Sequence, residues 1–422
     1  MFDRTAATPI LKNVYLPPVR EALYNGTPLL KYVEKEIQEV PGGGDFIFPL
    51  HTDRNDSAGD GRGENETLAD AGQQGFAATK TPPKYLYSRM KVTGPVIAAT
   101  KNNKGAFLKA VESEMKYLML DTKRAWNRQL HSDGTDPIAF YVSGGGTATV
   151  VVNDGIGNRV EHLNKKTKVD LLDVSAAYAL LETNVQVTKG ALVATGRNIT
   201  KTAGGNFSAT AAVGDFFVKA GTWGKQMQGI AGVVSDADPN STLYPTGLQG
   251  LRVGDEPSWA SQVIYADGGS SELTSSTGRV DVSFEALQDL LTAISVNSDY
   301  DESDVDLFMS SPALKNKYVQ LCRNERVFFN NMTLDGGFKA VSYNTKPWVW
   351  DPQCKRNRVY ALIFSELAIF RLADLDWIEV GGDVLYRLSG GDIDGVGATL
   401  FVYQEFGAKM RNCHGVILNL NE

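Results

Sequence analysis

Asp45-Phe46-Ile47-Phe48-Pro49-Leu50 and Lys84-Tyr85-Leu86-Tyr87-Ser88-Arg89-Met90-Lys91-Val92 alternate apolar and polar side chains, as half-buried strands do. Between them, His51 to Gln74 is almost wholly polar, with no apolar side chain larger than Leu68. A stretch of that length without a pattern of its own marks disorder or a segment that acts away from its own core. The two flanks together read as a two-stranded ribbon projecting from the body. An isolated ribbon is marginally stable in water, so it is expected to gain order by lying on a neighbouring subunit. Phe46, Phe48, Lys84, Tyr85, Tyr87 and Arg89 are therefore the candidate inter-subunit contacts.

At 422 residues the chain is long enough for two or three domains. Its 42% hydrophobic and 22% charged content is that of a soluble globular protein, and its 42 glycines favour a turn-rich and strand-rich build. The net charge of −7 argues against affinity that comes from neutralising nucleic-acid phosphates, without excluding a life beside DNA. Asp3 and Arg4 open a terminus with no signal-peptide core, and no eighteen apolar residues run together. The expectation is a soluble chain made in the cytoplasm, with no membrane partner. Cys322, Cys354 and Cys413 are far apart and lack CxxC spacing, so they are expected to be reduced and structural.

Residues 1–40 carry Pro9, Pro17, Pro18 and Pro28 around short helical pieces such as Leu29 to Gln38, and read as an arm. Gly42-Gly43-Gly44 frees the chain to leave the body, and Gly94-Pro95 marks its return. From Asn103 to Ser132, the residues Phe107, Val111, Met115, Leu118, Thr122, Ala125 and Gln129 share one helical face. Thirty residues make a rod of about 45 Å, without the sustained heptads of a coiled coil. Residues 138–232 read as a β-rich insertion with a helix-like segment from Val169 to Leu181. Ser283 caps a helix through Ile294, Val305 to Met309 reads as a strand, and Ser311-Pro312 opens a second helix through Cys322. Val359 to Phe364, Trp377 to Val380, Ala398 to Phe406 and Gly415 to Leu420 are strand-like. The fold class is α+β.

Chemistry is sparsely marked. His51, His131, His162 and His414 lie in separate segments without metal-ligand spacing, and the glycine-rich stretches have no phosphate-loop order. The acidic run Asp299, Asp301, Glu302, Asp304, Asp306 lacks the glycine and distal glutamate of a calcium loop. Gly390-Gly391-Asp392-Ile393-Asp394-Gly395 is one isolated turn where a calcium-binding repeat needs stacked copies. Trp223, Trp259, Trp348, Trp350 and Trp377 are read as core and contact residues rather than ligand platforms. No catalytic residue, metal or cofactor is expected, and the chain is not read as an enzyme.

Taken in order, arm, projecting ribbon, long helix, strand-helix region and strand-rich tail resemble the major capsid proteins of tailed bacteriophages, the Hong Kong 97-like family. Local text agrees: Val213-Gly214-Asp215, Phe308-Met309-Ser310-Ser311-Pro312, Gly336-Gly337 before Lys346-Pro347, Trp377-Ile378-Glu379-Val380-Gly381-Gly382, and Tyr403-Gln404-Glu405-Phe406 to Gly415. The resemblance implies an N-terminal arm at 1–40 and an extended loop at 41–95. It implies a peripheral domain from 96–137 and 358–422, an axial domain at 233–357, and a β-rich insertion domain at 138–232. It further implies hexamers and pentamers closing an icosahedral shell around packaged double-stranded DNA, which is enclosed without sequence-specific binding. A scaffolding protein, a portal and a decoration protein are the implied partners, in a virion assembled in the host cytoplasm. The Lys to Asn cross-link of some relatives is not carried over, because no residue here matches it. Two alternatives remain: an encapsulin-like compartment shell, and a β-rich tail or adhesion protein, against which the long helix argues.

Overall fold

The computed structural model describes residues 26–34, 37–39, 45–59, 61–67, 70–96, 104–153, 160, 162–164, 166–273, 277–324, 331–333, 339–381, 383–387 and 394–422. The arm before residue 26, the hinge Gly42 to Gly44, Gly336-Gly337, Gly382, and Gly390 to Ile393 lie outside them, as does the side chain of Phe107.

Helix α1 (Pro28–Val33) and strands β1 (Ile37–Glu39), β2 (Phe46–Asp53), β3 (Gly75–Thr81) and β4 (Lys84–Thr93) lead into the long helix α2 (Lys104–Leu130). Six strands follow: β5 (Ala139–Ser143), β6 (Thr149–Asn153), β7 (Lys166–Asp173), β8 (Ala179–Val193), β9 (Gly196–Lys201) and β10 (Phe216–Lys219). The second half runs β11 (Gln262–Tyr265), α3 (Phe284–Asn297), β12 (Leu307–Ser310), α4 (Pro312–Asn324), β13 (Asn331–Thr333), β14 (Lys339–Tyr343) and β15 (Lys346–Trp350). It ends with β16 (Val359–Leu362), β17 (Leu367–Trp377), β18 (Tyr386–Arg387), β19 (Gly395–Ala408) and β20 (Gly415–Leu418).

These strands form two open sheets, a closed barrel and one free-standing hairpin. In the first sheet β19 is central, with β17 and β18 along one edge and β4 along the other, and β1 lies parallel to β17. The second has the order β11-β20-β16-β12-β15-β14-β13. The C-terminal strands therefore divide between both sheets, which ties the two layers together. Leu29, Leu30 and Val33 of α1, Trp126 and Leu130 of α2, and Ile369, Val402, Phe406, Leu362 and Val416 make one continuous core across them. Leu287, Leu290, Leu291 and Ile294 of α3 and Leu314, Tyr318 and Cys322 of α4 cover the second sheet, around the fully buried Trp348. Ser283 caps α3 by accepting from the Ala286 amide at 3.1 Å. All three cysteines are buried and free.

The long helix holds the face read from its spacing: Val111, Thr122 and Gln129 are buried, and Met115 and Leu118 pack beside Met90 and Val92. Its 27 residues make about 40 Å. The six-stranded barrel runs β10-β5-β6-β9-β8-β7 around Val150, Val152, Val169, Leu171, Val187, Ile199 and Phe217.

Three expectations are corrected. Strand β4 does not pair with residues 45–50. It lies antiparallel to β19 over ten residues, because Leu86, Met90 and Val92 on one of its faces are needed under α2 and in the core. The partner of β2 is β3, from the far side of the polar stretch. Val169 to Leu181 is not helical: it is β7, a turn and the start of β8. Val169 and Leu171 point into the barrel while Leu172 packs outside it with Phe216 and Val218. A strand buried on both faces has a continuous apolar run that spacing does not distinguish from a helix. Likewise the piece from Leu29 to Gln38 ends its helix at Val33, and Ile37 begins an edge strand beside Ile369.

Candidate inter-subunit surface

The hairpin β2–β3 forms a two-stranded sheet joined to no other strand among the described residues. Its root is locked to the body. Phe46 and Phe48 lie on Phe370 of β17, with ring centroids 4.6 and 5.4 Å apart. Gln249 clamps the opposite strand: its carbonyl accepts from the Lys80 amide at 2.6 Å, and its Nε2 donates to Thr81 Oγ1 at 2.8 Å. Its Oε1 accepts from the Ala408 amide of β19 at 3.1 Å. The turn that carries Gln249 requires glycine at 247, where φ is +81° and any Cβ would stand 2.1 Å from the Leu251 carbonyl oxygen.

Beyond the root the hairpin leaves the body. Ile47 is 62% and Phe76 71% exposed, the latter packed beside His51 with centroids 5.4 Å apart. The tip is ordered by its own polar groups: Asn55 Nδ2 donates to the Gly72 carbonyl at 3.0 Å, and the Gly72 amide donates to Ser57 Oγ at 3.2 Å. Asp53, Asp56, Glu64, Glu66 and Asp70 are exposed there, together with Arg54 and Arg62.

The six candidate contact residues divide into two groups. Phe46 and Phe48 root the hairpin, and Lys84 Nζ donates to the Gly224 carbonyl at 3.0 Å, so these three bind the hairpin region to its own chain. Tyr85, Tyr87 and Arg89 stand on the outward face of β4. Tyr85 is 58% and Tyr87 54% exposed, and both approach Tyr403 of β19 edge-on, with centroids 5.0 and 6.1 Å away. Phe401 joins them at 5.3 Å from Tyr403. Tyr87 Oη donates to Tyr403 Oη at 3.3 Å, and that bond, then burial, raises the Tyr87 phenol above its ordinary value. This aromatic face and the outer face of the hairpin belong to one molecule. Ile47, Phe76, Phe401, Tyr403 and Gln249 were not among the sequence candidates; the alternation Phe401-Val402-Tyr403 beside Tyr85-Leu86-Tyr87 was the available signal for two of them.

Two cavities adjoin these elements. One of about 340 Å³ lies at the hairpin root, between Lys80 to Lys84 and residues 243–250. Glu405 lines it, 4% exposed, its Oε1 accepting from the amides of Gln228 at 2.7 Å and Phe406 at 3.0 Å. Burial pushes this carboxyl up to about 7, against the opposing pull of Lys84 and the two amides.

The other cavity, of about 430 Å³, opens at the C-terminal end of α2, beside the barrel. Arg128 and Asp136 form a two-pronged pair there, both bonds 2.7 Å. Lys355 lies 3.4 Å from Asp133, Arg356 lies 3.4 Å from Glu422, and Arg358 pairs with Glu272. Arg279 donates to the Leu273 carbonyl at 3.0 Å and has no carboxylate partner among the described residues. Burial, and then the charges of Arg128, Arg124, Lys219 and Lys189, hold His162 well below its ordinary value, so it is neutral. On the cavity wall, His131 lies 3.0 Å from Asp351, whose carboxyl burial would raise; His131, Asn127 and the Gln353 amide hold it below the usual range. His131 and His162 line this one cavity, while His51 and His414 lie elsewhere. His51 bonds Gln74 in the hairpin at 2.5 Å, and His414 accepts from the Ile363 amide at 3.3 Å in the core.

Among solved structures, the chain is similar to a chain of the cyanophage A-1(L) capsid asymmetric unit: 12% identity, 96% of both chains covered, TM-score 0.59. It is also similar to the capsid of cyanophage P-SCSP1u at 10% identity, covering 97% of this chain and 94% of that one, TM-score 0.47. A third similar structure is the holo-SrpI encapsulin complex from Synechococcus elongatus PCC 7942, at 8% identity, with 96% and 93% covered and a TM-score of 0.45. No protein-family model and no curated protein matches the chain. The first similarity spans nearly the whole of both chains and shows that they share a fold, the Hong Kong 97-like α+β architecture expected from the sequence.

Proposed function

We propose that this chain is the major shell subunit of a tailed-phage capsid, self-assembling into hexamers and pentamers around packaged double-stranded DNA. The observation that carries the reading is the hairpin: its root is fixed to its own body, yet Ile47 and Phe76 face outward, and an aromatic sheet face stands open elsewhere on the same molecule. If these two different surfaces meet between copies, the contact is heterologous and forms a ring when the rotation between copies closes. The fold shared with the cyanophage A-1(L) capsid chain supports the same reading.

In this reading 1–40 is the arm, 41–95 the extended loop, 96–137 with 358–422 the peripheral domain, 233–357 the axial domain and 138–232 the insertion. Tyr85, Tyr87 and Arg89 contact the neighbouring copy. The net charge of −7 suits a container whose wall lets DNA slide rather than gripping it. A scaffolding protein guides closure, a portal occupies one vertex, a decoration protein can bind outside, and the subunit itself catalyses nothing. The decisive experiment is negative-stain microscopy of the purified protein with and without its scaffolding protein. Capsomers or closed shells are expected; monodisperse monomer at high concentration with the scaffold supplied would overturn the reading.

A further inference from the structure

The hairpin tip and the cavity at the end of α2 carry opposite charge. Among its described residues the tip presents five exposed carboxylates, Asp53, Asp56, Glu64, Glu66 and Asp70, against the two guanidiniums of Arg54 and Arg62. The cavity is lined by five cations, Arg128, Arg279, Lys355, Arg356 and Arg358, against four carboxylates: Asp136 and Glu272 in its lining, and Asp133 and Glu422 paired to Lys355 and Arg356. Arg279 has no acidic partner among the described residues, the Arg358 Nε is buried without an acceptor, and the Arg356 side chain is 45% exposed. His162 lines the same cavity and is held below its ordinary value first by burial and then by Arg128 and other nearby cations. No ion pair among the described residues joins the tip of a copy to its own cavity. The hairpin also stands as a separate two-stranded sheet, its eight-residue first strand reaching about 26 Å from the root.

We infer that the acidic tip of one copy's hairpin docks into the basic cavity at the C-terminal end of α2 on a neighbouring copy. The inference rests on the shell reading and adds the partner surface to it. Carboxylates brought into a cavity of about 430 Å³ meet guanidiniums on a low-dielectric wall, where a two-pronged pair fixes geometry as well as charge. Arg279 gains a carboxylate partner, and the tip loses its self-repulsion. The contact also positions the barrel, because Asp136, Pro137 and Phe140 at the start of the barrel line the same cavity. Attraction of this kind selects the register of neighbours and speeds encounter more than it adds final affinity.

The test is a charge swap in the full-length chain. The tip variant is Glu64→Lys with Asp70→Lys; the cavity variant is Arg279→Glu with Arg356→Glu. None of these side chains lies in a hydrophobic core, and unchanged circular dichroism and melting midpoint confirm the fold of each. Assembly rate by light scattering, with shells counted by microscopy, should fall about tenfold or more in either variant alone. In the fourfold variant it should recover to within a few-fold of wild type. A synthetic peptide of residues 51–74 should bind unassembled wild-type subunit, and lose about tenfold in affinity for the cavity variant or on raising salt from 0.05 to about 0.5 M. Assembly at the wild-type rate by both the tip variant and the cavity variant, or no recovery in the fourfold variant, would overturn the docking while leaving the shell reading intact. Wild-type protein that forms no assembly under any condition would overturn the shell reading itself.

Discussion

Glu405 is the residue at which local text and physical setting differ most. Within Tyr403-Gln404-Glu405-Phe406 it stands at a position that a half-exposed strand would give to solvent, yet it is buried, held by a backbone amide 177 residues away. Burial raises its carboxyl from an ordinary 4.5 to about 7 in the folded chain. A raised folded value means that the stabilising, protonated form is fully present below about pH 4.5 and is lost as pH rises through 7. The free energy of unfolding of wild type should therefore fall relative to Glu405→Gln by about 3 kcal/mol between pH 4.5 and 8, measured by urea titration at several pH values. Gln249 was equally invisible in the sequence: a glutamine in a turn carries no mark of the three hydrogen bonds that clamp the hairpin root. By contrast Phe46, Phe48, Tyr85, Tyr87 and Arg89 announced themselves through alternation, which marks a strand and its two faces but not which neighbour each face meets. That is why Phe46 and Phe48 serve the molecule's own sheet, whereas the tyrosines stay open.

At the scale of elements, periodicity placed the long helix and both later helices to within a few residues, because their buried faces repeat at helical spacing over three or more turns. It misassigned the pairing of β4, since strand partners are chosen by long-range packing that no window of sequence contains. The hairpin nonetheless exists with a different second strand, and its tip makes its own hydrogen bonds. Replacing residues 54–74 with an Asn-Gly turn should therefore leave the body folded, with the far-ultraviolet spectrum retained and the melting midpoint shifted by only a few degrees. Assembly should fall at least tenfold. Loss of the whole cooperative transition would mean that the tip supports the core after all.

At the scale of the whole molecule, the barrel closes within one continuous stretch of chain, β5 to β10. The chain enters it beside the strand by which it leaves: the Ile138 amide donates to the Phe217 carbonyl at 2.8 Å, and the Tyr141 amide to the Asp215 carbonyl at 2.8 Å. Its interior is filled by its own residues. The segment 138–220 expressed alone should melt cooperatively, read by near-ultraviolet circular dichroism and amide dispersion. A featureless spectrum would show that it borrows stability from the remainder. Composition signalled this unit through its glycine, threonine and short apolar runs, but not its closure, which depends on the pairing of β10 with both β5 and β7.

The first sheet has the opposite topology, and this bears on how the molecule is made. Tyr87 and Tyr403 are hydrogen-bonded neighbours 316 residues apart in the chain. At ribosomal rates, the stretch that must emerge before β19 can reach β4 takes about 15–60 s to synthesise. Throughout that interval Tyr85, Leu86 and Tyr87 are held on a nascent strand with no ladder to join. The barrel, local in sequence, closes while they wait, and chaperone capture of unfinished chains should centre on this strand.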